Sequence, residues 1–156
     1  VIVIVDGTES SKDKSVNPLT ADERRAFLKA SGRADGITIL TASNAVEAFK
    51  TAKKAGFEPV TVAAGSDRAK AYVSILDKYF KEDHTGKAIT HQSLPGLTRT
   101  TSSEEGPDIS KVSGSMARHA AELGYMEEFT KLVGLESKPK LAKILFDKVK
   151  SRISKE

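Results

Sequence analysis

The sequence predicts an α/β fold in which helices cover both faces of an open parallel sheet. Short β-branched runs alternate along the chain with segments that repeat apolar residues at helical spacing. Polar loops follow the predicted strands, as at Asp6 and Gly7 after residues 1–5. Alternating strands and helices of this kind favour a parallel sheet, and right-handed crossovers then bring the strand-end loops to one edge.

Length and composition indicate a single globular domain. The chain has 156 residues, of which 38% are hydrophobic and 29% are charged, so a sizeable core is expected. No run approaches the ~18 apolar residues of a membrane span, and there is no secretory signal pattern. Cysteine is absent, which excludes disulfides and thiolate zinc sites. We expect a cytoplasmic or virion-associated protein with no membrane partner.

Four short segments are predicted strands. Residues 1–5 form a continuous β-branched run, typical of a buried parallel strand. Residues 37–41 and 59–64 are the second and third, and a fourth is expected within residues 87–94, around residues 88–90. A buried central strand usually has a neighbour on each side. The sequence therefore predicts that a strand-helix unit normally preceding residue 1 is missing.

Capping patterns predict where the helices begin. Thr20 with Glu23, and Asn44 with Glu47, have the spacing of capping boxes. A further helix is expected over about residues 69–80, where apolar residues recur at helical spacing. Each of these segments follows a predicted strand and its loop, as an α/β fold requires.

Residues 111–118 (KVSGSMAR) place small polar residues and a glycine directly before a predicted helix. The free N–H groups and partial positive charge of a helix N-terminus attract anions. Ser113 and Ser115 can cap the helix, while Gly114 lets a ligand come close. Arg118 adds a fixed cation. The stretch predicts a phosphate-binding site, with an ordinary serine-capped helix as the alternative.

The net charge of +4 comes from the end of the chain. Residues 138–156 contain seven basic and two acidic residues, so residues 1–137 are close to neutral. We expect this basic segment to form an amphipathic helix that packs on the domain formed by residues 1–137, although another copy or an acidic surface are alternatives. The apolar side of the predicted helix comprises Leu141, Ile144, Leu145, Val149 and Ile153.

Three segments, in the right order, resemble the nucleotidyltransferase superfamily of adenylyltransferases and cytidylyltransferases. The strand at residues 1–5 and the following residues 17–24 (NPLTADER) are similar to the family's NP(F/L)(S/T)xxER helix start. Residues 65–67 (GSD) resemble its G-x-D segment, and residues 112–118 (VSGSMAR) resemble its I-S-x-(S/T)-x-x-R signature. The resemblance spans about residues 1–133 and implies a Rossmann-like fold.

The resemblance also implies a function and a set of site residues. Members transfer a nucleotidyl group from a nucleoside triphosphate to a phosphate-bearing substrate and release pyrophosphate, and we expect the group to be adenylyl here. Catalysis rests on positioning and electrostatics, usually with Mg²⁺. The residues assigned to nucleotide or phosphate binding are Ser113, Gly114, Ser115, Arg118, Lys12, Lys14, Gly65, Asp67 and Arg99.

The histidine motif of the family, H-x-G-H or T-x-G-H, is absent from this sequence. Residues 84–87 (HTGK) have a similar composition, but they follow the third strand and end in lysine. His91 and His119 have no partner at useful spacing. The motif belongs to the strand-helix unit expected before residue 1, so the catalytic residues remain unassigned.

The sequence does not decide whether this protein is an enzyme or a structural protein. One hypothesis is a nucleotidyltransferase; another is an inactive descendant that serves as a structural or interaction protein in a larger assembly, such as a phage particle. In that case the basic C-terminal helix would mediate a homo-oligomer or a larger protein assembly. Nucleic-acid binding is disfavoured, because the basic tail offers a single aromatic residue, Phe146.

Overall fold

The computed structural model describes residues 1–65, 68–94 and 114–154. Within them the chain is a mixed α/β structure with parallel strand pairs. The strands are β1 (Ile2–Val5), β2 (Ile39–Ala42), β3 (Thr61–Val62) and β4 (Gln92–Ser93). The helices are α1 (Glu9–Lys12), α2 (Ala21–Ser31), α3 (Ala45–Lys54), α4 (Ala69–Tyr79), α5 (Gly114–Leu123), α6 (Met126–Val133) and α7 (Pro139–Ile153).

Strands β1 and β2 form the first parallel pair, in which Ile2 lies opposite Ile39. The buried side chains of Ile4 and Ile39 pack together, and Leu28 of α2 packs against them. Apolar β-branched residues favour this position because they fit a pleated surface covered by a helix. Helix α2 therefore packs beside β1.

Strands β3 and β4 form the second parallel pair, and α4 packs against both of them. Val62, Leu76 and Phe80 are the buried residues of this cluster. Phe49 of α3 contacts the rings of Tyr72 and Phe80 edge to face, with centroids 6.4 and 6.1 Å away. Since α3 also packs on β1 and β2, it connects the two strand pairs.

Helices α5, α6 and α7 share the largest buried cluster. Phe129 of α6 is 1% exposed and meets Phe146 of α7 edge to face at 5.4 Å. The expectation that the basic C-terminal helix packs on its own chain is confirmed. The placement of Ile144 on the packed side was wrong, because the face centred on Leu145 and Val149 turns Ile144 outwards, where it is 56% exposed.

The capping box predicted at Thr20 and Glu23 forms in full, whereas Asn44 and Glu47 form the half in which the Asn44 side chain caps the helix. The Thr20 hydroxyl accepts a hydrogen bond from the Glu23 amide at 3.2 Å, and the Glu23 carboxylate accepts one from the Thr20 amide at 3.1 Å. The Asn44 side chain accepts a hydrogen bond from the Glu47 amide at 2.9 Å. Both helices therefore begin where the spacing of their capping residues predicts.

The strands differ from the prediction in detail. The described strands form two separate pairs, β1–β2 and β3–β4, where a single open sheet was expected. The fourth strand lies at Gln92–Ser93, beyond the predicted residues 88–90, and Ala88 forms an isolated antiparallel bridge with Glu82. Such short strands carry too few residues for periodicity to locate them.

Candidate functional site

A cavity of about 240 Å³ lies in front of the first turn of α5. The chain around Pro18, helix α2 and helices α5–α7 contribute its walls. Much of the lining is apolar, including Phe129, Val133, Leu145 and Val149. The charged residues of this lining are Arg24 and Arg118. Two guanidinium groups in a mainly apolar cavity make it a candidate anion site.

Arg118 folds back over the start of its own helix. Its Nη2 donates a hydrogen bond to the Ser115 hydroxyl at 3.1 Å. A Cβ added to Gly114 would lie 3.0 Å from Arg118 Nη1, so the missing side chain of Gly114 leaves room for the guanidinium group. Burial lowers the pKa of Arg118 below its ordinary value, because the charged form loses part of its hydration.

Arg24 reaches the cavity from the first turns of α2. Its Nη2 donates to the Val5 carbonyl at 3.3 Å and lies 3.6 Å from Asp6 Oδ1. The second oxygen of Asp6 accepts a hydrogen bond from the Ala21 amide at 3.2 Å. The carboxyl end of β1 and the N-terminal end of α2 are therefore tied together beside the cavity.

The Nε of Arg24 is buried without a hydrogen-bond partner among the described residues. A buried guanidinium donor that has no acceptor costs free energy, on the order of 1–3 kcal/mol. Such a group in a native protein calls for an explanation. An anion bound in the cavity that Arg24 lines would supply an acceptor.

Among the predicted phosphate ligands that are described, Gly114 and Arg118 line this cavity, and Ser115 adjoins it through its hydrogen bond to Arg118. The other three described ligands do not belong to the lining. Lys12 Nζ lies 2.7 Å from Glu9 Oε1 one turn away in α1. Lys14 lies exposed in the turn that follows α1. The Gly65 carbonyl accepts hydrogen bonds from the amides of Arg68 and Ala69 at 3.0 and 3.1 Å, which helps to begin α4.

The remaining predicted ligands, Ser113, Asp67 and Arg99, lie outside the described residues. The structure therefore brings Gly114, Ser115 and Arg118 together and leaves Lys12, Lys14 and Gly65 elsewhere.

Arg24 is the residue that sequence reasoning missed. It stands in the segment at residues 17–24 that resembles the NP(F/L)(S/T)xxER pattern, but no ligand role was assigned to it. The available signal was an arginine early in a helix that follows a strand-end loop. Only the fold shows that this loop and the start of α5 share one cavity.

The histidines do not contribute to this cavity. His84 lies 2.7 Å from Glu58, in a turn held by the Asp83 carboxylate. His91 is buried and contacts Asp77 at 3.0 Å, while His119 is exposed on α5.

A protein-held magnesium site does not fit the described residues. Among them there is no cluster of three or more histidine, aspartate or glutamate side chains that could hold a metal ion. Asp6 is the carboxylate that contacts Arg24 beside the cavity, and its two oxygens already face Arg24 and the Ala21 amide. Magnesium usually binds through one or two carboxylates together with substrate phosphates, so the Mg²⁺ expected to accompany a bound nucleotide stays a prediction.

The chain matches no protein-family model, no curated protein and no solved structure. The relationship to nucleotidyltransferases consequently remains a prediction from the three sequence segments. Over residues 1–65, 68–94 and 114–154, no helix combines the length and apolarity that crossing a bilayer requires.

Proposed function

We propose that this chain binds the phosphates of a nucleoside triphosphate in the cavity before α5, as a nucleotidyltransferase-like domain. The observation that carries the proposal is the convergence of Arg24 and Arg118 on one cavity. The two residues come from distant parts of the sequence. They belong to two of the three segments that resemble the family, and both line the same cavity.

The chemistry of the cavity suits a phosphate group, which offers several oxygen acceptors, better than it suits a monatomic anion. A guanidinium group presents parallel N–H donors that match two phosphate oxygens at once. The apolar walls exclude water, which strengthens the attraction between these cations and an anion. The N-terminal end of α5 adds a partial positive charge.

The proposal includes the finer fold, an open Rossmann-like arrangement with helices on both sides. Its support is the parallel strand pairs, the alternation of strands with helices, and the hydrogen bond from Arg24 to the last residue of β1. In open α/β sheets, ligands bind at the carboxyl ends of strands. The cavity lies at that end of β1.

Nucleotidyl transfer would follow from the same site if a phosphate-bearing substrate were aligned with the α-phosphate. In that reaction Arg24 and Arg118 would offset the charge that develops as pyrophosphate leaves. The second candidate function is binding without catalysis, in a structural or interaction protein. It is favoured by the position of His84, His91 and His119 away from the cavity lining.

Thermal unfolding with ATP and Mg²⁺ tests binding. A ligand present at 100 times its dissociation constant stabilises a protein by about 2.7 kcal/mol, so we expect millimolar ATP to raise the melting temperature. Arg118→Ala and Arg24→Ala should each abolish most of the shift. Arg25→Ala is the matched control, because Arg25 is an exposed neighbour on α2. No shift in the unmodified protein would refute nucleotide binding.

Pyrophosphate release separates the two candidate functions. A nucleotidyltransferase should release pyrophosphate from ATP when phosphate-bearing acceptors are present, and Arg118→Ala should abolish the release. A protein that binds ATP and releases no pyrophosphate with a panel of phosphomonoester acceptors would be assigned to the binding class.

A further inference from the structure

A second cavity, of about 250 Å³, lies between the two strand pairs. Val1, Val3 and Val5 line it on the β1 side, and Thr61, Val62 and Ala63 line it on the β3 side. Helix α3 contributes Phe49 and three alanines to its wall. We refer to this cavity between β1 and β3 as the strand slot. Its volume is several times the ~30 Å³ that one water molecule occupies in the liquid.

The edge of β1 that faces the slot has no strand partner among the described residues. Ile2 and Asp6 donate their amide hydrogens to β2, at 2.9 and 2.8 Å. Because backbone groups alternate in direction along a strand, the N–H and C=O groups of Val3 and Val5 point away from β2, towards the slot. The carbonyl of Val5 meets Arg24, which closes one end of this edge.

The facing edge of β3 is open in the same way within the described part of the chain. The carbonyls of Val60 and Val62 accept hydrogen bonds from β4, at 3.0 and 2.9 Å. By the same alternation, Thr61 and Ala63 turn their backbone groups towards the slot. The slot is thus bordered by two rows of strand donors and acceptors, where one strand between them could pair with both.

Charge around the slot is almost absent. Glu58 is the charged residue of its lining, next to the start of β3. Its Oε1 lies 2.7 Å from His84 Nδ1, whereas its Oε2 is buried with no hydrogen-bond partner among the described residues. An apolar occupant with one cation beside Glu58 would therefore be complementary to the slot in charge as well as in backbone pairing.

We propose that the strand slot takes up a single extended peptide strand from outside residues 1–156. The strand is apolar and β-branched, about five residues long, and runs parallel to β3. In that direction its amino end lies beside Glu58, so a lysine, an arginine or a free amine precedes its first paired residue. Addition of a strand to open sheet edges is an established mode of peptide recognition, in which backbone hydrogen bonds supply affinity.

Amide hydrogen exchange of the full chain, measured by NMR, tests the proposal. The probe is a synthetic six-residue peptide with a free amino terminus, in which lysine precedes alternating valine and threonine. At saturating peptide, exchange at Val3, Val5, Thr61 and Ala63 should slow at least tenfold. Exchange at Ile4, whose amide lies on the β2 side, should stay within twofold. A peptide with proline at its central position is the control and should give no protection.

Glu58→Gln tests the charge complementarity separately. This variant should bind the lysine-bearing peptide three- to tenfold more weakly than the unmodified protein. Both proteins should bind equally well to a peptide that has an acetylated alanine in place of lysine. His84→Ala is the matched control: it removes the imidazole contact to Oε1 but keeps the backbone amide of residue 84 that also donates to Oε1, leaves Oε2 in place, and should keep the preference for lysine.

Several results would overturn the proposal. One is unchanged exchange at the four slot amides in millimolar peptide, and another is equal protection by the proline peptide. Protection that rises with protein concentration in the absence of peptide would instead assign the slot to a second copy of this chain. All of these readouts are independent of nucleotide binding.

Discussion

At the first turn of α5, Gly114 and Arg118 depend on each other. The Arg118 guanidinium group lies so close to Gly114 that the side chain of any larger residue at position 114 would crowd it. We predict that Gly114→Ala displaces Arg118 and weakens ATP binding about three- to tenfold. Stability should change by less than about 1 kcal/mol, because the nearest atom is the far end of a flexible side chain and alanine favours the helix. Calorimetric titration and thermal unfolding check the two effects; unaltered ATP affinity would contradict the account.

Two leucines test the assignment of the core. Leu76 is 0% exposed in the cluster beneath α4, whereas Leu123, at the end of α5, is 50% exposed. Leu76→Ala should lower the free energy of unfolding by about 2–5 kcal/mol, because it removes buried methyl groups and leaves a cavity. Leu123→Ala makes the same chemical change at the surface and should cost less than about 1 kcal/mol. Urea unfolding of both variants measures the difference, and equal costs would refute this packing.

Individual residues could be predicted from the sequence where their partners are close along the chain. Ser115 and Arg118 are three positions apart in one helix, a spacing that places the hydroxyl and guanidinium groups together. Arg24 and Arg118 line the same cavity because of the way in which α2, α5 and α7 pack. No local pattern carries that information.

Helices α2 and α7 are joined through Glu23. Its carboxylate caps α2 and contacts Lys148 Nζ at 2.7 Å and the Arg152 guanidinium group. Arg152 also donates to the Pro18 carbonyl at 2.8 Å. The hydrogen bond from Arg152 holds the pKa of Glu23 well below its ordinary value of 4.5, and Lys148 contributes in the same direction. Part of the basic tail is therefore used within the chain.

Glu23→Gln should destabilise the protein by about 1–3 kcal/mol at pH 7, because hydrogen bonds to a charged group are lost. Since folding lowers the pKa of Glu23, its carboxylate stabilises the native state above pH 4.5, and this contribution falls away as the pH drops further. The difference between variant and unmodified protein should consequently shrink below pH 4.5. Urea unfolding at pH 7 and pH 3.5 measures it.

Glu127→Gln is the control for this pair of helices. Glu127 is 86% exposed and lies 3.2 Å from Lys131 on the surface of α6. Exposed ion pairs contribute about 0–1 kcal/mol, so we expect a small effect at either pH. An equal loss for both variants at pH 7, or a Glu23 effect that does not diminish at all between pH 7 and pH 3.5, would refute the proposed contact between α2 and α7.

Elements with strong local signals were predictable, and short ones were not. The caps at Thr20 and Asn44 act within one turn, and they locate α2 and α3 correctly. The strand expected around residues 88–90 contains the β-branched residues Ile89 and Thr90, but the pairing with β3 forms at Gln92–Ser93. Backbone pairing with a distant strand decided this position, and residue type alone does not reveal it.

For the molecule as a whole, α7 is part of the core. Leu145, Phe146 and Val149 are buried against α5 and α6, and burial of such side chains stabilises by about 1.5–3 kcal/mol each. The sum is comparable with the ~5–15 kcal/mol that holds a typical domain together. Deletion of residues 138–156 should therefore abolish cooperative unfolding, measured by circular dichroism on heating. A deletion variant that keeps its melting temperature would contradict this packing.

The α/β class was predictable because it follows from the alternation of elements. The separation of the strands into two pairs was not predictable, since sequence periodicity does not report which edges meet. Residues 1–5 have the composition of a strand with neighbours on both sides, yet β1 pairs on one side within the described residues. This mismatch between composition and pairing is the basis of the strand slot.

The central claim is that Arg24 and Arg118 bind the phosphates of a nucleotide. Isothermal titration calorimetry of the full chain with ATP and with adenosine tests it most directly, because the two ligands differ only in their phosphates. The account predicts that ATP binds at least tenfold more tightly than adenosine. Arg24→Ala and Arg118→Ala should each remove at least tenfold of that affinity, or about 1.4 kcal/mol, while Arg25→Ala removes none. Equal binding of ATP and adenosine, or ATP binding that survives both substitutions, would contradict it.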